Sequence, residues 1–538
     1  MKKALIVQKE IIEAKVQGTY KYTVKISVPE FSAAKKKEFV DALLLQPALI
    51  ASLLNHQLLP EVMTIAERLK MKIFPTSWND FGMRCSCPDW AVPCKHLAAV
   101  IYVISREIDN DPFLVFKLHN LDILKELADR GVAIDEKTQK VPLLTELIHF
   151  ADSKKPAEFD ESQQSVRLPY SSIPNLVDVL PQMLDDNPVF ESRSNFLDCY
   201  KRQMKVLANR ANMALANPDR ICFHSRYFSP ETLTTRHDTI ELVKLSDSVG
   251  KRFAQAHFDA LPSDDHASYE IPVVARMVLC LDQERLDRYK PSVIGMHHAV
   301  KTALMLIRNG AVVPQPYIVE KTRLAIRWLP AMLDENVAAV VNKCVQAIPP
   351  DLIRFASTRG KKETLHHIEN ARYELIICII TDLIHSLYHH EDRMETADLF
   401  FGHGSGIDLA EVGKSTIGSS VSSWLNRFYI KEEEYRYLIM VEEDNKDFSL
   451  SIAVEDVQKN DGLPITLNEV MTDKHFADKR FGIMRSLTMF SKQIAGLTDY
   501  INSNAEQPIQ LTMNQLADFL FKSMPMLKML GAKVLLPK

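Results

Sequence analysis

The chain has 538 residues, and this length predicts about two to four domains. Hydrophobic residues make up 46% of it and charged residues 25%, which are ordinary globular values that exclude a disordered or fibrous chain. Only 16 residues are glycine, which disfavours an all-β protein with many tight turns and favours long helices. The formal net charge of −4, taken whole, argues against a simple basic nucleic-acid binder.

The sequence carries no signal for secretion or membrane insertion. Near the amino terminus no apolar run reaches the roughly 7 to 15 residues of a secretory signal. No apolar run in the sequence reaches the ~18 residues of a membrane-spanning helix. Eight cysteines are too sparse for a disulfide framework in a chain of this length. These features predict a cytoplasmic protein with no membrane association.

The first part of the chain combines one clear strand with helices. Strict alternation of apolar and polar residues from Tyr20 to Val28 predicts a half-buried strand that ends at Pro29. Helices are predicted over Phe39 to Leu54 and over Glu61 to Lys70. A further amphipathic helix, with apolar residues at helical spacing from Leu97 to Ile108, is expected to pack one face on the core.

The middle of the chain has mainly helical periodicity. A polar segment from Ser153 to Ser165 is the first linker candidate, and a glycine cluster from Gly402 to Gly418 marks the second boundary. Helices are predicted over Phe196 to Met213, Ser292 to Asn309, Lys321 to Ile348 and His366 to His390.

The last part of the chain returns to strands and then to helices. Alternating residues predict two strands, Tyr435 to Val441 and Phe448 to Val454, joined by a polar hairpin loop from Glu442 to Asp447. Helices are expected from Thr488 to Tyr500 and from Thr512 to Leu530.

The strongest motif places three cysteines and a histidine close together. Cys85 and Cys87 form one pair, and Cys94 and His96 form a second pair after a six-residue loop. Zinc takes four sulfur or nitrogen ligands tetrahedrally, which two pairs, one on a strand or tight knuckle and one at a helix start, can supply. Such a site has no open position, so one structural zinc ion is expected to stabilise a unit too small to fold alone. The alternative is three unrelated core cysteines beside a histidine.

This spacing resembles the SWIM zinc finger. The stretch Cys94 to Tyr102 is similar to the helix that this family places after its last ligand. Two further stretches, Val16 to Tyr20 and Asp111 to Leu114, resemble bacterial SWIM proteins associated with Swi/Snf-type helicases. The resemblance implies a zinc-binding module attached to a DNA-dependent motor.

A weaker resemblance lies near the other end of the chain. The region from Tyr435 to Asp456, with Leu516 to Leu520 and Leu530 to Pro537, is similar to the accessory domain that precedes the motor in bacterial Swi/Snf-type helicases. In that family an ATP-driven motor follows, so the resemblance implies a motor in a longer protein or on a separate polypeptide.

No catalytic site can be assembled from the sequence. The nearest approach to a phosphate loop, Gly413-Lys414-Ser415, lacks the glycine required five positions earlier, where Asp408 stands. Asp264-Asp265-His266 resembles a helicase acidic motif but follows no buried strand. His385 and His389 lie one helical turn apart without a third ligand, so a surface or capping role is favoured. The chain itself is therefore not expected to hydrolyse ATP.

Cations and an aromatic residue beside the cysteine motif suggest nucleic-acid binding. The first forty residues carry nine lysines against four glutamates. Arg84 and Lys95 adjoin zinc ligands and are candidates for phosphate contacts, while Trp90 is a candidate for stacking on a base. The favoured alternatives are that Lys35-Lys36-Lys37 is a solvated helix face and that Trp90 packs on the knuckle as missing core. In contrast, Glu432 to Asp461 carries ten acidic and three basic residues, which would repel phosphate.

Together these observations predict a mainly α, multi-domain protein. Residues 1–130 are expected to form a small zinc-stabilised α+β SWIM module, 131–420 a helical middle, and 421–538 an α+β helicase-associated domain. The predicted function is that of an accessory region of a Swi/Snf-type DNA helicase, which binds DNA or protein through the finger and couples to an ATPase motor. The alternative function is a zinc-stabilised protein–protein interaction module without nucleic-acid binding.

Overall fold

A computed structural model describes most of the chain, and contacts divide it into two compact units. One unit is formed by Met1–Gln139 together with Ile430–Lys538, and the other by Lys140–Tyr429. The two ends of the chain, which are predicted from the sequence to be separate domains, are grouped in one unit by their contacts. The described residues are 6–8, 11–54, 57–130, 132, 141–149, 151, 167–184, 190, 196–218, 239–246, 254–259, 268–269, 275, 278–279, 291–319, 322–350, 352, 355–359, 362–388, 395–402, 406–410, 417–432, 435–444, 447–456 and 463–537.

The amino-terminal segment contains a four-stranded antiparallel sheet in the order β1-β2-β3-β4. Its strands are β1 (Ile6–Gln8), β2 (Ile11–Gln17), β3 (Lys21–Ser27) and β4 (Gly82–Cys85). The alternation that predicted β3 is confirmed, because its buried and exposed residues follow the period of a half-buried strand.

Six helices complete this segment. They are α1 (Ala33–Leu44), α2 (Pro47–Leu54), α3 (Pro60–Arg68), α4 (Lys95–Asn110), α5 (Phe113–Leu118) and α6 (Ile123–Ala128). The single helix predicted over Phe39 to Leu54 is wrong, since the chain forms two helices there. Pro47 disfavours helical dihedrals at Gln46, so α1 ends before it and α2 begins at the proline.

The segment has two apolar cores on either side of a buried histidine. One core joins the inner face of the sheet to α4 through residues such as Val24, Ile26 and Leu97. The other core lies among the remaining helices. His119 is buried between the elements, stacks on the ring of Phe31 at 4.1 Å, and places its Nδ1 and Nε2 2.6 Å and 3.0 Å from two backbone carbonyl oxygens. These carbonyls belong to residues 29 and 73, so the histidine connects the chain leaving β3 to the chain approaching β4.

The middle unit is a mixture of helices and sheets. Its helices are α7 (Leu144–Leu147), α8 (Phe196–Ala216), α9 (Pro291–Arg308), α10 (Glu335–Ala347), α11 (Ala371–Leu387), α12 (Glu395–Phe401) and α13 (Ile417–Leu425). Its strands are β5 (Thr239–Ser246), β6 (Ala254–Asp259), β7 (Ser268–Tyr269), β8 (Val312–Val319), β9 (Arg323–Pro330), β10 (Phe355–Arg359), β11 (Lys362–His366) and β12 (Ile407–Asp408). They form a five-stranded sheet, β11-β10-β5-β6-β7, and a three-stranded sheet, β12-β9-β8. The middle was predicted to be mainly helical, whereas the described residues of this unit combine helices with two sheets.

The missed hairpin β8–β9 explains this difference. The helix predicted from Lys321 to Ile348 is wrong over its first third, because β9 is almost wholly buried and shows no alternation of polar and apolar residues. Its partner β8 contains Pro314 and Pro316, which argue against a strand in a sequence. They are tolerated because β8 lies at the edge of its sheet, where its outer side forms, among the described residues, only an isolated bridge between Leu143 and Ile318.

Helices predicted in the middle unit otherwise correspond to α8, α9 and α11. The core around them contains a cluster of large aromatic side chains, including Tyr200, Trp328 and Phe400. Trp328 is fixed by two hydrogen bonds, as its backbone N–H donates to Thr381 Oγ1 and its indole N–H to the carbonyl of Phe400, each at 2.9 Å. None of the described helices is both long and apolar enough to cross a membrane.

The carboxy-terminal segment contains the predicted hairpin and several short helices. Its strands are β13 (Tyr435–Asp444), β14 (Asp447–Asp456), β15 (Ile465–Thr466), β16 (Ile509–Leu511) and β17 (Lys533–Leu535), ordered β15-β14-β13-β17 with β16 also pairing with β14. Its helices are α14 (Leu467–Thr472), α15 (Arg480–Thr488), α16 (Leu497–Asn502), α17 (Met513–Asp518) and α18 (Met524–Met529). The hairpin is confirmed, and both strands are longer than predicted.

The helix predicted from Thr488 to Tyr500 is wrong. There α15 ends at Thr488, and the chain turns until Gly496, whose φ of 82° lies in the left-handed region that glycine adopts without strain. This residue precedes α16, so the glycine both ends the turn and starts the next helix.

The two ends of the chain are joined through α2. Helices α15 and α16 pack against it, and Phe481 contacts the amino-terminal helical core. At the start of α2 the backbone N–H of Ala48 donates a 3.1 Å hydrogen bond to Oδ1 of Asn502, which comes from the last position of α16. Asn502 therefore satisfies one of the unpaired N–H groups of the first helical turn, as a capping side chain does.

We predict that Asn502→Ala destabilises this unit by about 1 kcal/mol, the typical value of a helix cap. The loss should appear as a lower denaturant midpoint in urea unfolding and as faster amide hydrogen exchange in Pro47–Leu54. Asn514→Ala, an exposed position in α17 of the same unit, is the matched control. Equal amide exchange rates in both variants would show that the hydrogen bond between Ala48 and Asn502 does not stabilise α2.

Candidate metal centre

The chain is directed into the metal centre by a turn held by Asp80. Its Oδ2 accepts hydrogen bonds from the backbone N–H groups of Thr76 and Ser77, at 2.9 Å and 3.0 Å. These hydrogen bonds lower the pKa of the Asp80 carboxyl group to about 2. The turn ends at Phe81, and β4 begins immediately after it.

Strand geometry brings the first two cysteines to one side of the sheet. Cys85 is the last residue of β4 and pairs with Val24, which lies in the buried core between the sheet and α4. Ser86 is held to β3 by two hydrogen bonds, from its N–H to the carbonyl of Thr23 and from the N–H of Thr23 to its Oγ. Cys87 also packs against this core, so both thiols face α4.

The second pair of ligands lies at the amino-terminal end of α4. Cys94 is the residue that precedes the first helical position, and His96 is at the second. The apolar stripe of α4, with Leu97, Val100 and Ile104, packs on the inner face of the sheet. Because this stripe fixes the rotation of the helix, Cys94 and His96 are both buried, with exposed fractions of 2% and 6%. The predicted position of these two ligands is confirmed.

The four ligand atoms fit a tetrahedral metal. One ligand atom from each of Cys85, Cys87, Cys94 and His96 lies within 4.8 Å of the other three. The sulfur atoms of Cys87 and Cys94 are 3.5 Å apart, and the Cys94 sulfur is 3.9 Å from Nδ1 of His96. Ligands at zinc–sulfur and zinc–nitrogen bond lengths in a tetrahedron are separated by about 3.5 to 3.8 Å. These four residues are therefore positioned to bind a zinc ion.

Two of the thiols have pKa values that shift in opposite directions. Burial raises the pKa of the Cys85 thiol to about 12, and the neighbouring thiols Cys87 and Cys94 add to this effect. At Cys94 burial acts in the same direction, but backbone hydrogen bonds from Leu97 and His96 and one from Cys87 lower its pKa below the ordinary value. Since zinc binds thiolates, binding must displace the proton of Cys85, and acid must oppose it.

The imidazole of His96 is enclosed by the β2–β3 turn. Its ring lies 4.5 Å from the ring of Tyr22, at an angle of 40°. Behind Nε2 lies Gly18, where an added Cβ would stand 2.9 Å from this nitrogen and 3.1 Å from the Tyr22 ring. A side chain at position 18 would therefore displace the imidazole, whose Nδ1 faces the sulfur of Cys94.

The loop between the ligand pairs carries an exposed tryptophan. Trp90 has an exposed fraction of 94%, and Val92 one of 65%. The side chain of Asp89 accepts a 3.1 Å hydrogen bond from the N–H of Ala91, forming a turn with Trp90 at its centre. The favoured interpretation that Trp90 packs on the knuckle as missing core is therefore wrong.

The structure separates the predicted cationic residues. Arg84 lies on β4 beside Lys25 of β3, on the opposite face of the strand from Cys85. Lys95, the first residue of α4, is exposed. In the lysine run the Nζ of Lys35 donates to the carbonyl of Lys70, and Lys36 forms a 2.7 Å ion pair with a glutamate. Those two lysines are engaged within the protein.

Of the weaker sequence candidates, His385 lies among the described residues. His385 lies in α11, in the other unit, and its predicted partner His389 lies outside the described residues. The segments 264–266 and 413–415, which superficially resembled nucleotide-binding motifs, and the linker 153–165 also lie outside the described residues.

Comparison with known proteins agrees with this geometry. Residues 78–105 match the model of the SWIM zinc finger family. The matched segment covers β4, the four ligands, the loop with Trp90 and the first part of α4. The SWIM finger of this protein thus has a complete set of zinc ligands, and its zinc-binding role follows from sequence and geometry together.

Two further comparisons describe other relationships without giving a function. Residues 273–391, in the middle unit, match a domain of unknown function, DUF8276. The chain is also 32% identical over 114 residues to a Mycobacterium tuberculosis (strain ATCC 25618 / H37Rv) protein described as "Uncharacterized protein Rv2102". That alignment covers 21% of this chain and 41% of the relative, so the chain spans about two fifths of the relative's length. No solved structure matches the chain.

Sequence reasoning missed the two residues that enclose His96. Tyr22 was assigned to the buried phase of β3, but its contact with a ligand could not be predicted. Gly18 belongs to a stretch that resembles SWIM proteins. Because the chain has only 16 glycines, the presence of one in this stretch was the signal that the sequence offered for a close contact.

We predict that Gly18→Ala weakens zinc binding about ten-fold or more, the usual effect of disturbing a residue that orients a metal ligand. The wild-type protein should retain one equivalent of zinc on purification, and affinity should be measured by competition with a chromophoric chelator. Gly482→Ala is the control, since a Cβ there meets no atom within 4 Å. Unchanged zinc affinity in Gly18→Ala, with Gly482→Ala also unchanged, would contradict the role of this contact.

Proposed function

We propose that the SWIM finger is a zinc-stabilised module that binds nucleic acid through the loop around Trp90. The main observation that supports this proposal is that Trp90 is 94% exposed on a loop whose two ends are zinc ligands. A large aromatic side chain kept in water stabilises the folded state little, so its exposure on a fixed loop favours a binding role. Because the zinc orders the loop beforehand, binding loses less conformational entropy.

The surroundings of the loop supply positive charge. Lys95 is exposed at the first position of α4, where the helix dipole adds partial positive charge. Arg84 is exposed on β4. We propose that a base stacks on Trp90 and that Lys95 contacts the phosphate beside it, while Arg84, on the strand face opposite Cys85, contacts phosphate away from the loop. Stacking on a tryptophan requires an unpaired base, so single strands are the favoured ligand of the loop.

A second candidate is a protein–protein interaction module with no nucleic-acid affinity. It is supported by Val92, whose 65% exposure enlarges the apolar surface next to Trp90. Tryptophan with neighbouring apolar contacts is typical of the centre of protein interfaces. The two functions differ in salt dependence, because phosphate contacts weaken steeply as salt rises whereas apolar contacts do not.

We predict that Trp90→Ala lowers the affinity for a mixed-sequence single-stranded oligonucleotide about ten- to hundred-fold, the effect of losing one stacked base. Fluorescence anisotropy at several salt concentrations measures this. Tyr102→Ala, which removes another highly exposed aromatic side chain from the same module, serves as the control and should leave affinity unchanged. If the wild-type protein binds neither single nor double strands at low salt, the nucleic-acid function is wrong and the protein-interaction function is favoured.

The finger is further proposed to serve a Swi/Snf-type DNA helicase as its non-motor accessory region. This proposal is supported by the sequence resemblances of the amino- and carboxy-terminal segments, which in the structure form one unit. The motor would be a separate polypeptide or part of a longer protein, and no ATP hydrolysis is expected from this chain alone.

We predict that adding the chain to a purified Swi/Snf-type motor from the same organism raises its DNA-dependent ATP hydrolysis several-fold by increasing local DNA binding. A coupled phosphate-release assay measures the rate with and without the chain. The Trp90→Ala protein should stimulate less at equal concentration. If ATP hydrolysis is not stimulated at saturating concentrations of the chain and of DNA, the accessory role is wrong. That result would not contradict nucleic-acid binding by the chain itself.

A further inference from the structure

The sheet of the amino-terminal segment has one face covered by α4 and one face open to solvent. The covered face carries apolar side chains such as Ile12, Val24 and Ile26. The part of the other face that is formed by the alternate residues of β2, β3 and β4 is here called the open face; the register also places Ile6 and Gln8 of β1 on that side of the sheet. The members of the open face are Ile11, Glu13, Lys15, Gln17, Lys21, Thr23, Lys25, Ser27 and Arg84.

Four cations lie on the open face beside one carboxylate. Lys25 is directly opposite Glu13 on one neighbouring strand and Arg84 on the other. Lys15 is opposite Thr23, and Lys21, the first residue of β3, is opposite Gln17. Directly opposite positions such as Lys25 and Arg84 lie about 5 Å apart, and diagonal positions such as Lys15 and Lys25 about 7 to 8 Å apart, so the four cations form one continuous patch across three strands.

The patch keeps most of its charge available. Glu13 pairs with Lys25 at 3.1 Å, but both side chains are about half exposed, and such pairs contribute little. Lys15, Lys21 and Arg84 are exposed. The acidic hairpin β13–β14 belongs to a different sheet.

The chemistry of the open face fits a phosphate backbone better than a protein. Its remaining members are hydroxyl and amide side chains, Thr23, Ser27 and Gln17, which can donate to phosphate oxygens. Ile11, 48% exposed, is the apolar side chain in the set, and the set contains no aromatic residue. A stable protein interface needs an apolar or aromatic centre, whereas contacts to a nucleic-acid backbone need cations and donors.

We propose that the open face is a second nucleic-acid contact, which binds the phosphate backbone without reading bases. This inference rests on the proposed nucleic-acid function and deepens it. The loop around Trp90 supplies the stacking contact, while Lys15, Lys21, Lys25 and Arg84 supply the electrostatic one. Since no aromatic side chain lies among its members, the open face binds single and double strands alike.

The test compares two triple variants of the full chain that remove the same charge. Lys15→Gln, Lys21→Gln and Arg84→Gln together neutralise the open face but leave Lys25 with its partner Glu13. The control, Lys474→Gln, Lys522→Gln and Lys528→Gln, removes three exposed lysines of the carboxy-terminal segment. Zinc content and circular dichroism verify that each variant is folded.

Affinity for mixed-sequence single- and double-stranded oligonucleotides is measured over a range of salt. The open-face variant should bind at least about ten-fold more weakly at low salt, and the slope of log affinity against log salt should fall by about 1 for each removed cation. The control variant should retain the wild-type slope. If the triple variant fails to fold, single variants at Lys15 and Lys21 should each lower the slope by about 1.

The outcomes separate this inference from the proposed function. If the open-face variant keeps the wild-type slope while Trp90→Ala still weakens binding, the proposal that the open face binds nucleic acid is wrong. Binding by the loop around Trp90 is then retained. Equal losses in both triple variants also overturn it, because the effect would then come from overall charge. Binding of poly-glutamate as tightly as an oligonucleotide overturns the choice of nucleic acid as the partner. No binding of any oligonucleotide by the wild-type protein overturns the proposed function itself.

Discussion

Four ligand atoms within 4.8 Å of one another join three pieces of chain. The end of β4, the loop after it and the first turn of α4 all meet at the metal centre. The residues between Cys87 and Cys94 include none of the buried core, so the ligands at the two ends of the loop are what would fix it to the module. A bound zinc ion would therefore give the loop between Cys87 and Cys94 the stability that so short a segment cannot obtain from an apolar core of its own.

The position of the zinc ligands depends in turn on ordinary packing. The apolar stripe of α4 sets the rotation of this helix. The register of β4 with β3 determines which side chains of β4 face the helix. The turn at Gly18 closes the site from the side opposite the cysteines because the glycine has no side chain to meet the imidazole. The remainder of the unit supports this arrangement through helices from both ends of the chain, linked at Ala48 and Asn502.

Sequence patterns predicted the elements whose two faces differ. The strand β3, the hairpin β13–β14 and the helix α4 each have one buried and one exposed side, so their periodicity is visible in the residues. Strand β9 is buried on both sides and looks like a helix, and β8 is concealed by two prolines that only its edge position allows. The zinc ligands could be predicted because metal chemistry restricts their spacing. Tyr22 and Gly18 could not, since a contact with His96 depends on how the sheet and helix pack.

The net charge of −4 averages surfaces of opposite sign. Alternation along β2 and β3 sends lysines to one side of the sheet and apolar residues to the other, so the requirement for a core also concentrates positive charge on the open face. In the carboxy-terminal sheet the ends of β13 and β14 carry Glu442, Glu443 and Asp444 opposite Asp447 and its neighbours. Solvent screens charges beyond roughly 10 Å at moderate salt, so an approaching polyanion responds to the nearest surface and not to the whole-chain sum. Charge counted over a whole chain is therefore a poor guide to its ligands wherever strands divide their residues between two faces.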